Sequence, residues 1–288
     1  MACNLSNPSF KGTLRGRVSP SGATNDARHR EAVLPHTART ALVTGGARGI
    51  GASVCKALAV DGVAVAVADL DAPAAEATAA SLTGERHLAL CMDVADEASV
   101  AAGFDVAERA FGGGIDILVA CAGVLLFGPD GRRPLIVDTD LDHWQRTMTV
   151  NATGCFLTCR EYARRAPENN PWGRVITVSS VAAQLGGYRS SAAYIASKSA
   201  VLGLTKALAR ELAPRRITAN AVAPGLIDAP MLRLSLDPAD DAKAAATIPL
   251  NRLGLPEDVA EAVRYLASPG AAYLTGVTID VNGGYRMQ

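Results

Sequence analysis

Tyr194 and Lys198 stand four residues apart in the stretch SAAYIASKSAV, residues 191–201, among small and mostly apolar neighbours. On a helix that spacing places a phenol and an ammonium on one face, about one turn apart. A phenol with its ordinary pKa of about 10 is a poor base near neutrality, and an ammonium close by favours the phenolate. The pair is suited to taking a hydroxyl proton or returning one. Surface helices also carry such pairs with no chemistry attached, so the pair needs support from the rest of the chain.

That support begins at TGGARGIG, residues 44–51, which follows the apolar run ALVT. Gly45, Gly49 and Gly51 allow a tight turn in which backbone amides approach a pyrophosphate at a helix N-terminus. Ile50, Val54 and Leu58 then recur at helical spacing, and a second apolar run, VAVAVADLD, ends in an acid. Strand, glycine loop, helix, strand and acid form the context that a dinucleotide site requires. Asp69 lies eighteen residues beyond Gly51, where a carboxylate accepts both ribose hydroxyls and repels a 2′-phosphate. The expected cofactor is NAD, with NADP less favoured; Arg48, a guanidinium near the adenosine, pulls the other way.

These residues need a scaffold, and the chain supplies one. Short apolar runs (ALVT, VAVAVA, LALCM, DILVA, RVITVSS) alternate with helix-length segments from Ala41 onward. Runs of β-branched residues and alanine suit strands buried on both faces of a parallel sheet. The segment LPEDVAEAVRYLAS reads as a helix, with Pro256 in its first turn and Val259, Val263 and Leu266 on one stripe. The fold class is α/β, a doubly wound parallel sheet with helices on both faces.

Residues 40–288 read as one NAD(P)-binding catalytic domain. Residues 1–39 are rich in Ser, Gly, Pro and Arg, with no acid before Asp26, and read as a disordered or targeting leader. Lysine plus arginine equal aspartate plus glutamate at 28 each, which favours neither nucleic acid nor an anionic membrane as partner. With no apolar run of bilayer length, the expectation is a soluble, cytoplasmic protein, or an organellar one if the leader is a transit peptide. The six cysteines form no CxxC pair and read as buried, reduced thiols. The four scattered histidines offer no metal-ligand spacing.

Further motifs fall in a fixed order: Asp93 in CMDVAD, Asn151 in VNATG, Ser180 in ITVSS, then NAVAPGLIDAPM and YLTGVTIDVNGG. Together with the TGxxxGxG loop of Thr44, Gly45, Gly49 and Gly51 and the YxxxK pair, they make the chain resemble the short-chain dehydrogenase/reductase family. The resemblance spans roughly residues 40–286. It implies a Rossmann-type sheet of about seven strands and a catalytic tetrad of Asn151, Ser180, Tyr194 and Lys198. It further implies that Asp93 and Val94 border the adenine and that Ala122 and Gly123 approach the cofactor. Pro224, Gly225 and Ile227 would meet the nicotinamide end, and the molecule would be a homotetramer or homodimer. In this frame Tyr194 is the base, Ser180 holds the substrate oxygen, Lys198 also binds the nicotinamide ribose, and Asn151 holds a relay water.

The chain departs from the family pattern in four places. ACAG, residues 120–123, stands where NNAG is usual, with Cys121 read as a small filler. The run from Ser180 to Tyr194 is about one residue longer than is common, leaving Ser179 a rival to Ser180. Ala229 replaces a threonine. The connection over residues 125–142 is long and charged, and its Arg132 and Arg133 could reach a substrate anion. Leu226 to Leu253 reads as a lid whose Met231, Leu232, Leu234, Leu236 and Ile248 suit a moderately apolar small molecule. The expected activity is hydride transfer between NAD(H) and a secondary alcohol or its ketone. The alternatives are an NADPH-dependent 3-oxoacyl thioester reductase and a non-catalytic NAD-sensing or scaffold protein.

Overall fold

The computed structural model describes residues 39–287 apart from 129 and 188, so the expected leader lies outside the described residues except for Arg39. The apolar runs form strands: β1 (Thr40–Thr44), β2 (Ala64–Asp69), β3 (Leu88–Cys91), β4 (Ile117–Ala120), β5 (Arg174–Val178), β6 (Thr218–Pro224) and β7 (Thr278–Val281). They pair in parallel as one sheet in the order β3-β2-β1-β4-β5-β6-β7. In register, Leu42 of β1 lies between Ala66 of β2 and Leu118 of β4.

The helices are α1 (Gly49–Val60), α2 (Ala72–Ala80), α3 (Glu97–Phe111), α4 (Leu141–Met148) and α5 (Gly154–Arg165). They continue as α6 (Ala182–Leu185), α7 (Ala192–Leu212), α8 (Pro230–Arg233), α9 (Asp241–Ala245) and α10 (Pro256–Ala267). Successive strand residues face opposite sides of a sheet, and both sides here are covered. Val43, Val65 and Val67 pack with Val54 and Leu58 of α1 and with Val259, Val263 and Leu266 of α10. Leu42, Ala66 and Leu118 point the other way, into Phe104 of α3, Tyr162 of α5 and Leu208 of α7. Fully burying each valine, leucine or phenylalanine contributes about 1.5–3 kcal/mol, which fixes the register of the central strands. At the start of α10 the Asp258 carboxylate accepts from the Leu255 amide at 2.7 Å, beside the proline expected there.

Two details set the site's position. First, β1 has β2 on one side and β4 on the other, so the chain leaves their carboxyl ends in opposite directions and a crevice opens between them. Second, α4 and α5 are joined by a π-helical turn over Thr149–Thr153. A Cβ on Gly154 would lie 2.7 Å from Val94 Cγ2, so glycine lets this helix press against the loop after β3.

Cys55, Cys155 and Cys159 are buried and Cys121 half-buried, but Cys91 is exposed. The expectation of buried thiols fails at Cys91 because β3 is an edge strand. Among the described residues no helix is long and apolar enough to cross a membrane.

Candidate active site

The glycine loop after β1 folds back on itself. Gly45 has a φ of +65°, and a Cβ there would sit 2.7 Å from Ala122 Cα in the loop after β4. A Cβ on Gly51 would fall 2.0 Å from the Gly45 carbonyl oxygen. Arg48, at the N-cap of α1, makes no side-chain cap, which leaves first-turn amides open to an anion. At the end of β2, Asp69 accepts from the Ala47 amide at 3.1 Å and from the Asp71 amide at 3.1 Å. Its carboxylate is thereby fixed beside the loop. A cradle that side chains would fill, an uncapped helix start and a fixed acid together fit a dinucleotide. Asp71, which sequence reasoning missed, forms an exposed ion pair with Arg48.

A cavity of about 870 Å³ runs from this loop along the carboxyl edge of the sheet. It is lined by Gly45, Arg48, Gly49, Ile50, Gly51, Asp69, Asp93, Val94, Ala122 and Gly123. Ser180, Tyr194, Lys198, Pro224, Gly225 and Ile227 line it as well. Thr44 and Asn151 do not. Thr44 is buried, and its hydroxyl accepts from the amides of Cys121 and Ala122 at 3.2 and 3.3 Å. It ties the ends of β1 and β4 together. Those two amides, in the ACAG departure, are therefore engaged within the protein.

Asn151 is fully buried in the π-helical turn. Its Oδ1 accepts from the Val124 amide at 2.7 Å, and its Nδ2 donates to the Val124 carbonyl at 3.0 Å and to Ser197 Oγ at 3.1 Å. The side chain is thus committed to bridging the β4 loop and α7, and the water expected on Asn151 finds its side-chain oxygen and both N–H groups engaged.

Ser191 caps α7, accepting from the Tyr194 amide at 3.3 Å, and the buried face of α7 carries both Tyr194 and Lys198. Lys198 Nζ donates to the Val178 carbonyl at 2.9 Å. A Cβ on Gly123 would lie 3.1 Å from that Nζ, so the lysine rests against the cofactor loop after β4. The Tyr194 hydroxyl lies 3.9 Å from Met231 Sδ of α8. Burial pushes the Tyr194 phenol up to about 12, and a hydrogen bond with Ser180 draws it part of the way back. Burial likewise lowers the Lys198 ammonium. The sequence expectation is a phenol lowered by its lysine; here desolvation by burial raises the phenol, and the Ser180 hydrogen bond offsets only part of that rise.

Both serines line the cavity, but their hydroxyls have different partners. Ser179 is buried, with its hydroxyl donating to the Lys198 carbonyl at 2.8 Å. Ser180 Oγ accepts from the Ala182 amide at 3.1 Å and meets the Tyr194 phenol. Cys121 also lines the cavity, and burial pushes its thiol up to about 11, away from the reactive thiolate.

The lid is mixed. Met231, Leu232 and Leu234 line the cavity. Leu236 and Ile248 do not; they are buried elsewhere, 1% and 4% exposed. Arg233 anchors the segment by pairing with Asp228 and Asp241. Arg132 and Arg133 are exposed and outside the cavity lining, contrary to the substrate contact considered for them, because their loop turns at Gly128 and Gly131 into solvent. The arginine that does line the cavity beside the lid is Arg189.

Comparison with known proteins gives the chain's family and fold relatives. Residues 45–286 match the family model described as enoyl-(acyl carrier protein) reductase. The chain is 37% identical over 253 residues to D-threitol dehydrogenase of Mycolicibacterium smegmatis, covering 87% of this chain and 94% of that one. It is 40% identical over 250 residues to cis-4-hydroxycyclohexanecarboxylate dehydrogenase of Sinomonas cyclohexanicum, covering 86% and 96%. The solved structure of 3-ketoacyl-(acyl-carrier-protein) reductase from Brucella melitensis, complexed with NADH, is similar with a TM-score of 0.79 and 32% identity, covering 86% and 98%. The chain belongs to the short-chain dehydrogenase/reductase family, as a nicotinamide-dependent oxidoreductase acting on CH–OH groups.

Proposed function

We propose that this enzyme interconverts a small secondary alcohol and its ketone with NAD(H), using Tyr194 as the proton acceptor or donor. The observation that carries the reading is the convergence of Tyr194, Ser180 and Lys198 on the same cavity as the glycine loop and Asp69. Gly45, Gly49, Gly51, Asp69, Asp93, Gly123 and Lys198 would hold the dinucleotide. When bound, it supplies the hydride acceptor in oxidation and the hydride donor in reduction.

The chain's own residues manage the proton. In oxidation the alcohol's hydroxyl proton passes to the Tyr194 phenolate while the oxygen's electron pair forms the carbonyl. Ser180 donates to the substrate oxygen and stabilises the charge developing there. Lys198, held by Val178, supports the phenolate electrostatically. Asn151 acts by position, fixing the β4 loop through Val124.

Asp69 and Asp71 favour NAD over NADP. Asp71 already pairs with Arg48, so the guanidinium that would welcome a 2′-phosphate is partly neutralised while Asp69 opposes that phosphate. An exposed pair of this kind is worth only about 0–1 kcal/mol. Arg48 therefore keeps the NADPH-dependent 3-oxoacyl thioester reductase as the second reading.

The test follows reduced-nicotinamide absorbance over a panel of secondary alcohols and diols, with NAD and NADP in parallel. Wild-type turnover with NAD should fall about 100-fold or more in Tyr194→Phe, as removal of a general acid–base group does. Asp69→Ala should narrow the NAD preference. Faster turnover with NADP would favour the thioester reductase, and tight NAD binding without turnover in either direction would favour a sensor.

A further inference from the structure

The substrate end of the cavity carries a cation that the chemistry above leaves unused. Arg189 lies on the loop between α6 and α7 and lines the cavity with Ser190 of that loop and Leu185 at the end of α6. Its Nη1 donates to the Ser235 carbonyl of the lid at 3.0 Å, which holds the guanidinium across the gap between loop and lid. Among the described residues no carboxylate pairs with it. The neighbouring lid arginines differ: Arg233 pairs with Asp228 and Asp241, and Arg252 pairs with Asp258.

The distribution of acids sharpens the contrast. The acids lining the cavity are Asp69, Asp71 and Asp93, all at or just beyond the ends of β2 and β3, on the dinucleotide side of β1. The loop and lid residues that line the cavity carry no acid and mix Leu185, Met231 and Leu234 with Ser190 and Ser235. Arg189 is itself exposed, so it stands at the mouth of the cavity, where a guanidinium with N–H groups beyond the one given to Ser235 can meet an anion entering from solvent. The planar fork of arginine suits a carboxylate in particular.

We propose that Arg189 binds a carboxylate of the substrate, so that the alcohol taken by this site is a hydroxy acid, its hydroxyl at Tyr194 and Ser180 and its carboxylate at Arg189. The inference rests on the reading of this cavity as an alcohol dehydrogenase site. It assigns Arg189 to specificity and leaves proton transfer to Tyr194.

The test separates anion recognition from turnover. Wild-type enzyme and Arg189→Met, each saturated with NADH, are titrated calorimetrically with unreactive carboxylates from butanoate to cyclohexanecarboxylate and with the matching uncharged amides. At least one carboxylate should bind wild type more tightly than its amide. Arg189→Met should lose about 10- to 100-fold of that affinity, the range for a hydrogen bond to a charged group, with amide binding unchanged. Arg189→Lys should recover part of the loss.

No carboxylate binding better than its amide, or a preference that survives in Arg189→Met, would overturn the inference. If that occurs while neutral alcohols are oxidised, the dehydrogenase reading stands and only the role of Arg189 falls. A carboxylate preference in wild type that is lost in Arg189→Met, with no turnover of any alcohol, would sink the dehydrogenase reading instead.

Discussion

Tyr194 is buried against Met231 and bonded to Ser180, and burial works against its use as a base. With its phenol pushed up to about 12, the side chain is ready to donate a proton to a ketone at neutral pH. To accept one from an alcohol it needs additional positive charge nearby. Positive charge favours the phenolate and so lowers the pKa. Ultraviolet titration of the phenolate, taken as wild type minus Tyr194→Phe, should therefore show a midpoint that falls on adding NAD, whose nicotinamide ring is cationic. NADH, with a neutral ring, should leave it in place, and alcohol oxidation should climb with pH through the lowered midpoint. Equal midpoints with both cofactors would contradict this account of the base. The Tyr–Lys pairing itself is legible in the sequence from spacing alone. The direction of the phenol's shift is not, because it depends on how deeply distant segments, the lid among them, bury the hydroxyl.

At the scale of elements, the start of α1 depends on Gly51. A Cβ there would meet the Gly45 carbonyl at 2.0 Å, and backbone cannot rotate aside as a side-chain tip can. Gly51→Ala should cost about 1–3 kcal/mol in denaturant unfolding and weaken NAD binding, since α1 must move away from its loop. Gly203→Ala is the control, because Gly203 lies inside α7 with nothing within 4 Å of its would-be Cβ. That substitution should leave NAD binding intact and stabilise the helix by up to about 1 kcal/mol. Equal effects from both would remove the steric account of the loop. The strands and α10 are legible because buried parallel strands need unbroken apolar runs and a helix needs a periodic stripe. The π-helical turn at Asn151 is not, since it answers to Val124 and Ser197, residues distant in sequence.

Across the whole molecule, function follows from where the winding of the parallel sheet changes sides, between β1 and β4. The loops after β1 and β4 meet through Gly45 and Ala122, while β5 and α7 bring Ser180, Tyr194 and Lys198 to the same edge. Motif order reveals most of this, because each βα unit delivers its loop to one edge of the sheet. What it leaves hidden is contact between loops. Sequence draws attention to Arg132 and Arg133 in a long charged connection, whereas the structure brings Arg189 to the lid through Ser235. Thr44 likewise belongs to the glycine motif but serves the fold from beneath it. The central claim is direct hydride transfer within this one cavity, and isotope tracing tests it most plainly. Secondary alcohols deuterated at the carbinol carbon, hydroxy acids included, would be incubated with enzyme and NAD, and the reduced cofactor weighed by mass spectrometry. The account predicts deuterium on the nicotinamide ring with wild type and almost none with Tyr194→Phe; reduced cofactor without the label, or labelling undiminished in Tyr194→Phe, would contradict it.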